Sequence, residues 1–151
     1  NNEVELRKPN STRPWQHVLE PLSGYITLAI ALQKKPEIHG ESFNFGPQAE
    51  QNHSVLELVQ QMGKYWDKVR WKDVSSSISG PYESDLLKLN CDKALHYLNW
   101  HAVMGFDETV RMTAEWFRFY YENPSKTNAL TNSNINTYTE IARQKGLLWA
   151  Q

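Results

Sequence analysis

The stretch NSTRPWQHVLEPLS, residues 10–23, sets a fixed cation, a large aromatic ring and several amide or imidazole groups on an irregular segment that leads into a helix. The planar guanidinium of Arg13 suits a phosphate or carboxylate, because it can bind two oxygens at once. Pro14 biases Arg13 to an extended backbone, and Trp15 can then offer its ring face to a sugar or a base. A simpler interpretation stays open, in which Trp15 is a core residue and Arg13 pairs with a surface acid.

The composition is that of one folded domain or part of one. The chain has 151 residues, of which 40% are hydrophobic, and it contains 6 tryptophans, which argues against disorder. Sixteen basic and 17 acidic residues leave a net charge of −1. This balance gives no broad attraction to nucleic acid or to an anionic membrane, so an anion site has to be local.

Several kinds of chemistry lack sequence support. Cys91 is the only cysteine, so no intrachain disulfide can form, and a reducing compartment such as the cytoplasm fits the chain. The histidines show no paired metal-ligand spacing, which predicts no metal site. The sequence contains neither a phosphate-binding glycine loop nor a Gly-x-Ser-x-Gly elbow. No apolar run is long enough to span a bilayer.

Hydrophobic periodicity and capping signals predict alternating strands and helices. Strands are expected at 3–7, 42–45, 68–71 and 86–89. Helices are expected at 20–34, from the Ser54 capping box onward, after Asn90, and at 106–123. Residues 125–136 are polar and are expected to be irregular, and a short helix is expected at 137–146.

Two features indicate that the chain is a piece of a larger assembly. It opens on Asn1 directly before a strand pattern, and we therefore expect a fragment. The helix at 106–123 carries Trp116, Phe119 and Tyr120 in addition to the residues of its predicted core face. This apolar surface is wider than one contact needs, so part of it is expected to meet another domain or subunit.

Five motifs, in this order along the chain, resemble those of one enzyme family. They are RPWQHVLEPLSGY (13–25), FNFGP (43–47), LKLNCDKA (87–94), LNW (98–100) and TVRMTAEW (109–116). Together they are similar to the segment of CDP-glucose 4,6-dehydratases that follows the nucleotide-binding half. These enzymes are extended short-chain dehydrogenase/reductases that act on nucleotide sugars. The first motif is fairly specific to this branch, and the resemblance covers nearly the whole chain.

The resemblance implies a mixed, helix-rich α/β fold, the C-terminal substrate-binding part of an extended Rossmann-fold enzyme without its nucleotide-binding half. By the same resemblance Arg13 contacts the pyrophosphate, Trp15 lies close to the ribose or base, and Asn44 lies near the nucleotide. Tyr82 and Glu83 precede the LKL strand, where the family pattern is His-Glu. The tyrosine departs from this pattern, so the histidine's role does not transfer to it.

The implied activity is conversion of CDP-glucose to CDP-4-keto-6-deoxyglucose by NAD-mediated internal hydride transfer. The family's cofactor loop and catalytic residues precede the part of the protein that this chain resembles. No catalytic or cofactor-binding residue is therefore expected here, and the chain alone is expected to be inactive. NAD would be held by the other half of the enzyme.

The resemblance further predicts two regions, residues 1–124, which bind substrate and pack on a Rossmann lobe, and residues 125–151, a polar linker with a C-terminal helix. Unpaired strand edges and apolar faces then favour self-association, so a homo-oligomer is expected. Two alternatives stay open. One is another nucleotide-sugar dehydratase or epimerase, and the other is a non-catalytic helical module that binds protein partners.

Overall fold

The computed structural model describes residues 3–77 and 84–151, and more than half of these residues are helical. The α-helices in these residues are α1 (Leu19–Leu32), α2 (Val55–Tyr65), α3 (Asp92–Leu98), α4 (Phe106–Glu122) and α5 (Thr127–Gln144). Single turns of 3-10 helix occur at Pro36–Ile38, Ser75–Ser77, Pro124–Lys126 and Leu148–Ala150. No helix in the described ranges combines the length and apolar content that a membrane crossing requires.

The described strands are short and form two pairs. β1 (Val4–Leu6) lies parallel to β4 (Trp71–Asp73), and β2 (Thr12–Arg13) lies antiparallel to β3 (His53–Ser54). In the second pair Arg13 lies opposite His53. Thr12 also forms a parallel bridge to Leu86. Three separate parts of the sequence thus meet at β2.

Local signals placed α2 and α4 correctly. The capping box predicted at Ser54 is present, because the Glu57 amide donates to Ser54 Oγ at 3.2 Å and the Ser54 amide donates to Glu57 Oε2 at 2.6 Å. α4 ends within one residue of its predicted limit. The periodicity of α4 predicts a core face of Val110, Thr113, Ala114, Phe117 and Tyr121; Val110 and Ala114 are buried as predicted, whereas Phe117 and Tyr121 are exposed.

α1 packs some of its apolar residues, among them Leu19 and Leu28, against the core, but it turns a second apolar row outward. Leu22, Ile26 and Ile30, which predict this helix, are all exposed, whereas Glu20, Ser23 and Gly24 are buried. The small residues let α1 approach Phe45 closely, and a Cβ added to Gly24 would lie 2.4 Å from the Phe45 ring. We define the exposed row of Leu22, Tyr25, Ile26 and Ile30 as the outer face of α1.

The core of the described residues consists of two hydrophobic clusters. One lies between α4, α5 and the end of the chain and contains Val103, Met104, Met112, Tyr138, Ala142, Leu147 and Ala150. The other lies between α1, α3 and the loops around them and contains Ile38, Phe45, Ala94, Leu98, Trp100 and Ala102. Trp149 packs against both clusters, so the C-terminal turn closes the space between them.

Three local predictions were wrong, and a fourth was displaced, because the strand expected at 68–71 lies at Trp71–Asp73. Residues 42–45 are not a strand, and 86–89 contribute one bridge only. A strand needs a hydrogen-bonded neighbour, and the described ranges supply none for residues 42–45. Residues 125–136 were predicted to be irregular, but they are helical from Thr127 onward. This helix, α5, is stabilised by packing on α4, where Trp116 Nε1 donates to Thr131 Oγ1 at 2.9 Å. The division into regions at residue 124 stays a prediction.

Candidate functional site

Arg13 lies on β2, the strand that contacts both β3 and the segment around Leu86. Its Nη1 donates to the carbonyl of Thr12 at 2.8 Å and to the carbonyl of Ser84 at 3.1 Å. The Thr12 amide donates to the carbonyl of Asp85 at 2.8 Å. The guanidinium therefore lies against the segment that begins at residue 84, and its position is fixed by backbone oxygens.

Trp15 is anchored to the same strand pair. Its indole Nε1 donates to the carbonyl of His53 at 2.9 Å, and its amide donates to the carbonyl of Arg13 at 2.9 Å. The His53 ring in turn stacks on Phe106 at the start of α4, with 3.8 Å between centroids. Arg13 and Trp15 thus lie beside the same strand pair, and both are fixed to β3.

Asn44 lies in the loop after α1 and is exposed. Its Nδ2 donates to the carbonyl of Asn90, just before α3, at 3.2 Å. The hydrogen bond recorded for Asn44 thus does not join it to Arg13 or Trp15. Its neighbour Phe45 is tied to the Arg13 segment, because Gln16 Nε2 donates to the Phe45 carbonyl at 2.9 Å.

Tyr82 and Glu83 lie outside the described residues. The residues that follow them are described and come directly to β2. Lys8 Nζ lies 3.3 Å from Asp85 Oδ1, and the Asp85 carbonyl accepts from Thr12. Any role of Tyr82 and Glu83 beside Arg13 stays a prediction.

A cleft of about 500 Å³ opens on the Asn90 side. It is lined by 46–50, by 88–92 and by parts of α3 and the loop after it. Arg13 and Trp15 do not line it. Within the described ranges no cluster of three histidine, cysteine, aspartate or glutamate side chains could hold a metal ion.

Glu20 organises the interior behind the site, and its role was missed from the sequence. Its side chain is 1% exposed, and its carboxylate accepts from the amides of Val103 and Met104 at 2.7 to 3.0 Å. The Tyr138 hydroxyl donates to Glu20 Oε2 at 2.8 Å and also lies 3.0 Å from Ser23 Oγ. This one carboxylate therefore links three elements, which are α1, α5 and the loop that precedes α4.

Burial governs the titration of this cluster. It raises the pKa of Glu20, while the two backbone amides and Tyr138 oppose that shift because they stabilise the carboxylate. Burial, followed by the nearby Glu20 charge, also raises the pKa of Tyr138, so the phenol keeps its proton. The one sequence signal for this cluster was the row of Glu20, Ser23, Gly24 and Thr27 at helical spacing, which marks a polar, closely packed face.

His17 belongs to the stretch at residues 10–23 and lies two residues before the start of α1. It is 8% exposed, and its Nδ1 accepts from the Leu19 amide at 3.3 Å, which satisfies a free donor of the first helical turn. Burial lowers the pKa of His17, since the charged ring is disfavoured away from water. The imidazole is therefore neutral near pH 7 and caps α1 as an acceptor.

We expect the capping by His17 to make stability depend on pH. Because the pKa of His17 is lowered from 6.5, the unfolded chain binds the proton more readily than the folded protein does. The stabilisation is full above 6.5 and is lost as the pH falls through the folded-state pKa. In His17→Gln the amide oxygen can accept from Leu19 without titrating. Urea unfolding at about pH 7.5 and about pH 5.5 should therefore show a larger loss in wild type than in the variant. Equal losses would contradict this account.

Comparison with known proteins finds one curated enzyme that is similar in sequence to this chain. No protein-family model matches the chain. Over 119 residues, 78% of the chain, it is 40% identical to CDP-glucose 4,6-dehydratase from Salmonella typhimurium. The matched part is 33% of that enzyme, so the chain spans about a third of its relative's length. The resemblance that the five motifs indicate is confirmed.

A solved structure shows the fold. The chain matches UDP-glucose-4-epimerase from Stenotrophomonas maltophila, with bound NAD and formylated UDP-arabinopyranose, with a TM-score of 0.65 and 22% identity. The match covers 80% of this chain and 36% of that one. The expected fold class, a helix-rich α/β part of an extended short-chain dehydrogenase/reductase, is confirmed. The chain is thus similar in sequence to a CDP-glucose 4,6-dehydratase and in fold to a UDP-glucose-4-epimerase.

Proposed function

We propose that this chain is the nucleotide-sugar-binding part of a CDP-glucose 4,6-dehydratase-like lyase, which converts CDP-glucose to CDP-4-keto-6-deoxyglucose. The observation that carries the proposal is the 40% identity to a CDP-glucose 4,6-dehydratase, within which the Arg13 stretch is the most specific motif. The anchoring of Arg13 and Trp15 on one strand pair supports it. A cation and an aromatic face that are fixed side by side suit a ligand with a diphosphate next to a ribose and base.

The substrate-binding residues in this proposal are Arg13, Trp15, Asn44, Tyr82 and Glu83. Arg13 neutralises the pyrophosphate, which carries most of the ligand's charge. Trp15 covers the ribose or base with an indole whose polar edge is already satisfied by the His53 carbonyl. Asn44 contributes an amide near the nucleotide, and the 82–83 pair lies on the segment that leads to Asp85.

These residues do not include a binding site for NAD, because the 151-residue sequence contains no glycine-rich dinucleotide loop. When bound, NAD supplies the reversible hydride acceptance that this internal redox reaction needs. We propose that the nucleotide-binding lobe holds NAD and the catalytic groups, and that this chain alone is inactive. Its own residues bind and orient the nucleotide sugar for that lobe.

The outer face of α1 supports a complete enzyme in which another domain covers this helix. Tyr25 is 59% exposed and Ile26 is 55% exposed on the same helix side. Contiguous apolar surface of this kind is typical of interfaces. We propose that a Rossmann lobe packs there and that the complete enzyme is a cytoplasmic homo-oligomer of surface-polysaccharide biosynthesis.

We expect Arg13→Ala to weaken CDP-glucose binding roughly tenfold to a hundredfold, since it removes charge-assisted hydrogen bonds to the pyrophosphate. The control is Arg143→Ala, which removes an exposed arginine of α5 that pairs with Glu140. Isothermal titration should show the control binding like wild type.

Further binding measurements distinguish the alternative functions. Stronger binding of UDP-glucose than of CDP-glucose would favour another nucleotide-sugar dehydratase or epimerase. Binding of CDP-glucose that is equal in wild type and Arg13→Ala would remove Arg13 from the site. Absence of any nucleotide-sugar binding, in the presence of the nucleotide-binding lobe, would favour the protein-interaction module.

A further inference from the structure

A second concave site lies between the start of α1 and the helices α4 and α5. It is a cavity of about 450 Å³, whose walls are mainly apolar and aromatic. These walls are formed by Val18, Leu19, Trp116, Phe117 and Ile135. Neither Arg13 nor Trp15 nor Asn44 lines it. Clefts of this size with apolar walls and few polar groups are typical of small-molecule sites.

His17 supplies one defined donor to this cavity. The ring lines the cavity while being 8% exposed. Because Nδ1 accepts from the Leu19 amide, Nδ1 carries no proton and the proton of the neutral ring is on Nε2. Within residues 3–77 and 84–151, no group is recorded that accepts from Nε2. The donor edge of the imidazole is therefore available to a ligand.

The polar hydrogens of Trp116, Thr131 and Gln16 beside the cavity are already donated within the protein. Trp116 Nε1 donates to Thr131 Oγ1 at 2.9 Å, and the Thr131 hydroxyl donates to the Thr127 carbonyl at 3.0 Å. Gln16 directs its Nε2 to the Phe45 carbonyl, while its buried Oε1 accepts no hydrogen bond from the described residues. A charged ligand would lose its hydration without gaining an opposite charge, so a neutral one is favoured.

We propose that this cavity binds a small, neutral, planar aromatic molecule with one oxygen acceptor, whose ring lies among Trp116, Phe117 and Ile135 and whose oxygen accepts from His17 Nε2–H. The aromatic walls favour a flat ring through offset or edge contacts. The single buried donor favours a ligand with an acceptor, because a ligand without one leaves that donor unpaired. This inference does not depend on the function proposed for the Arg13 site.

The test compares two probes of the same shape, acetophenone and α-methylstyrene, in which a carbonyl is replaced by a methylene group. The indole N–H signal of Trp116 in nitrogen-15 NMR spectra, assigned by its loss in Trp116→Phe, reports on the cavity. We expect acetophenone to bind with a roughly millimolar dissociation constant. α-Methylstyrene should bind about threefold to tenfold more weakly because it cannot accept from His17.

Two variants complete the test. Ile135→Phe, at a partly exposed position on α5, narrows the cavity and should reduce the shift of the Trp116 signal by acetophenone. His17→Leu, which has no donor, should remove the preference for acetophenone over α-methylstyrene. Absence of binding by both probes, equal binding of the two to wild type, or unchanged binding to Ile135→Phe would each overturn the proposal. The probe comparison and Ile135→Phe keep it falsifiable if His17→Leu does not fold.

Discussion

Replacing Glu20 with alanine is expected to lower the free energy of unfolding by roughly 4 kcal/mol, because three buried donors lose their acceptor at once. These donors are the amides of Val103 and Met104 and the hydroxyl of Tyr138. The amides belong to a loop whose residues are almost completely buried, so water cannot replace the carboxylate without opening the core. Urea unfolding followed by tryptophan fluorescence measures the effect.

The matched control for this prediction is Glu140→Ala on α5. Glu140 is an exposed acid that pairs with Arg143, and its loss should change stability by less than about 0.5 kcal/mol. Tyr138→Phe removes one donor only and keeps the ring stacked on Trp149, so it should cost about 1 kcal/mol. The account fails if Glu20→Ala is no more destabilising than Glu140→Ala. If Glu20→Ala does not fold, Tyr138→Phe against Glu140→Ala still tests the cluster.

Gly24→Ala is expected to destabilise the protein by roughly 1 to 3 kcal/mol through overpacking. The new Cβ would lie 2.4 to 2.8 Å from three atoms of the Phe45 ring, which is itself packed edge to face on Trp100 at 4.9 Å. The ring cannot move without disturbing that contact. Thermal unfolding measured by circular dichroism checks the loss.

Gly63→Ala is the control, since it makes the same change in a helix interior with nothing within 4 Å of the new Cβ. Without a steric cost, alanine should stabilise α2 by about 0.5 to 1 kcal/mol. Opposite signs for the two variants are the expected result. The double variant Gly24→Ala/Phe45→Leu should recover part of the loss. Stabilisation by Gly24→Ala alone would show that α1 and Phe45 are not in close contact.

The sequence was informative where structure depends on neighbouring residues. The Ser54 capping box uses side chains three residues apart, and α4 is specified by its own periodicity and by the proline that follows it. The proximity of Arg13 and Trp15 could be expected because the stretch carries both within three positions, while their role in binding stays a prediction. Their common anchor, His53, could not be inferred, since β3 lies 38 residues beyond Trp15.

Prediction failed where the structure depends on distant partners. The periodicity of α1 identified a helix but not which side is buried, because the choice is made by Glu20 and Gly24 against residues far along the chain. The strand expected at 42–45 has the right alternation but no neighbour to pair with among the described residues. α5 has few apolar residues, and it is stabilised by Trp116 and by the cluster around Glu20 rather than by its own composition.

The separation of Glu20 from its partners sets the order in which this protein can mature during synthesis. Val103 and Met104 follow Glu20 by 83 and 84 residues, and Tyr138 follows it by 118. A ribosome adds roughly 5 to 20 residues per second, so the growing chain waits roughly 6 to 24 s before Tyr138 exists. Until Val103 and Met104 have been added, the Glu20 carboxylate has none of these three donors, and until Tyr138 has been added it lacks the third. Synthesis of α5, rather than emergence of the first helix, is therefore the event that completes the cluster around Glu20.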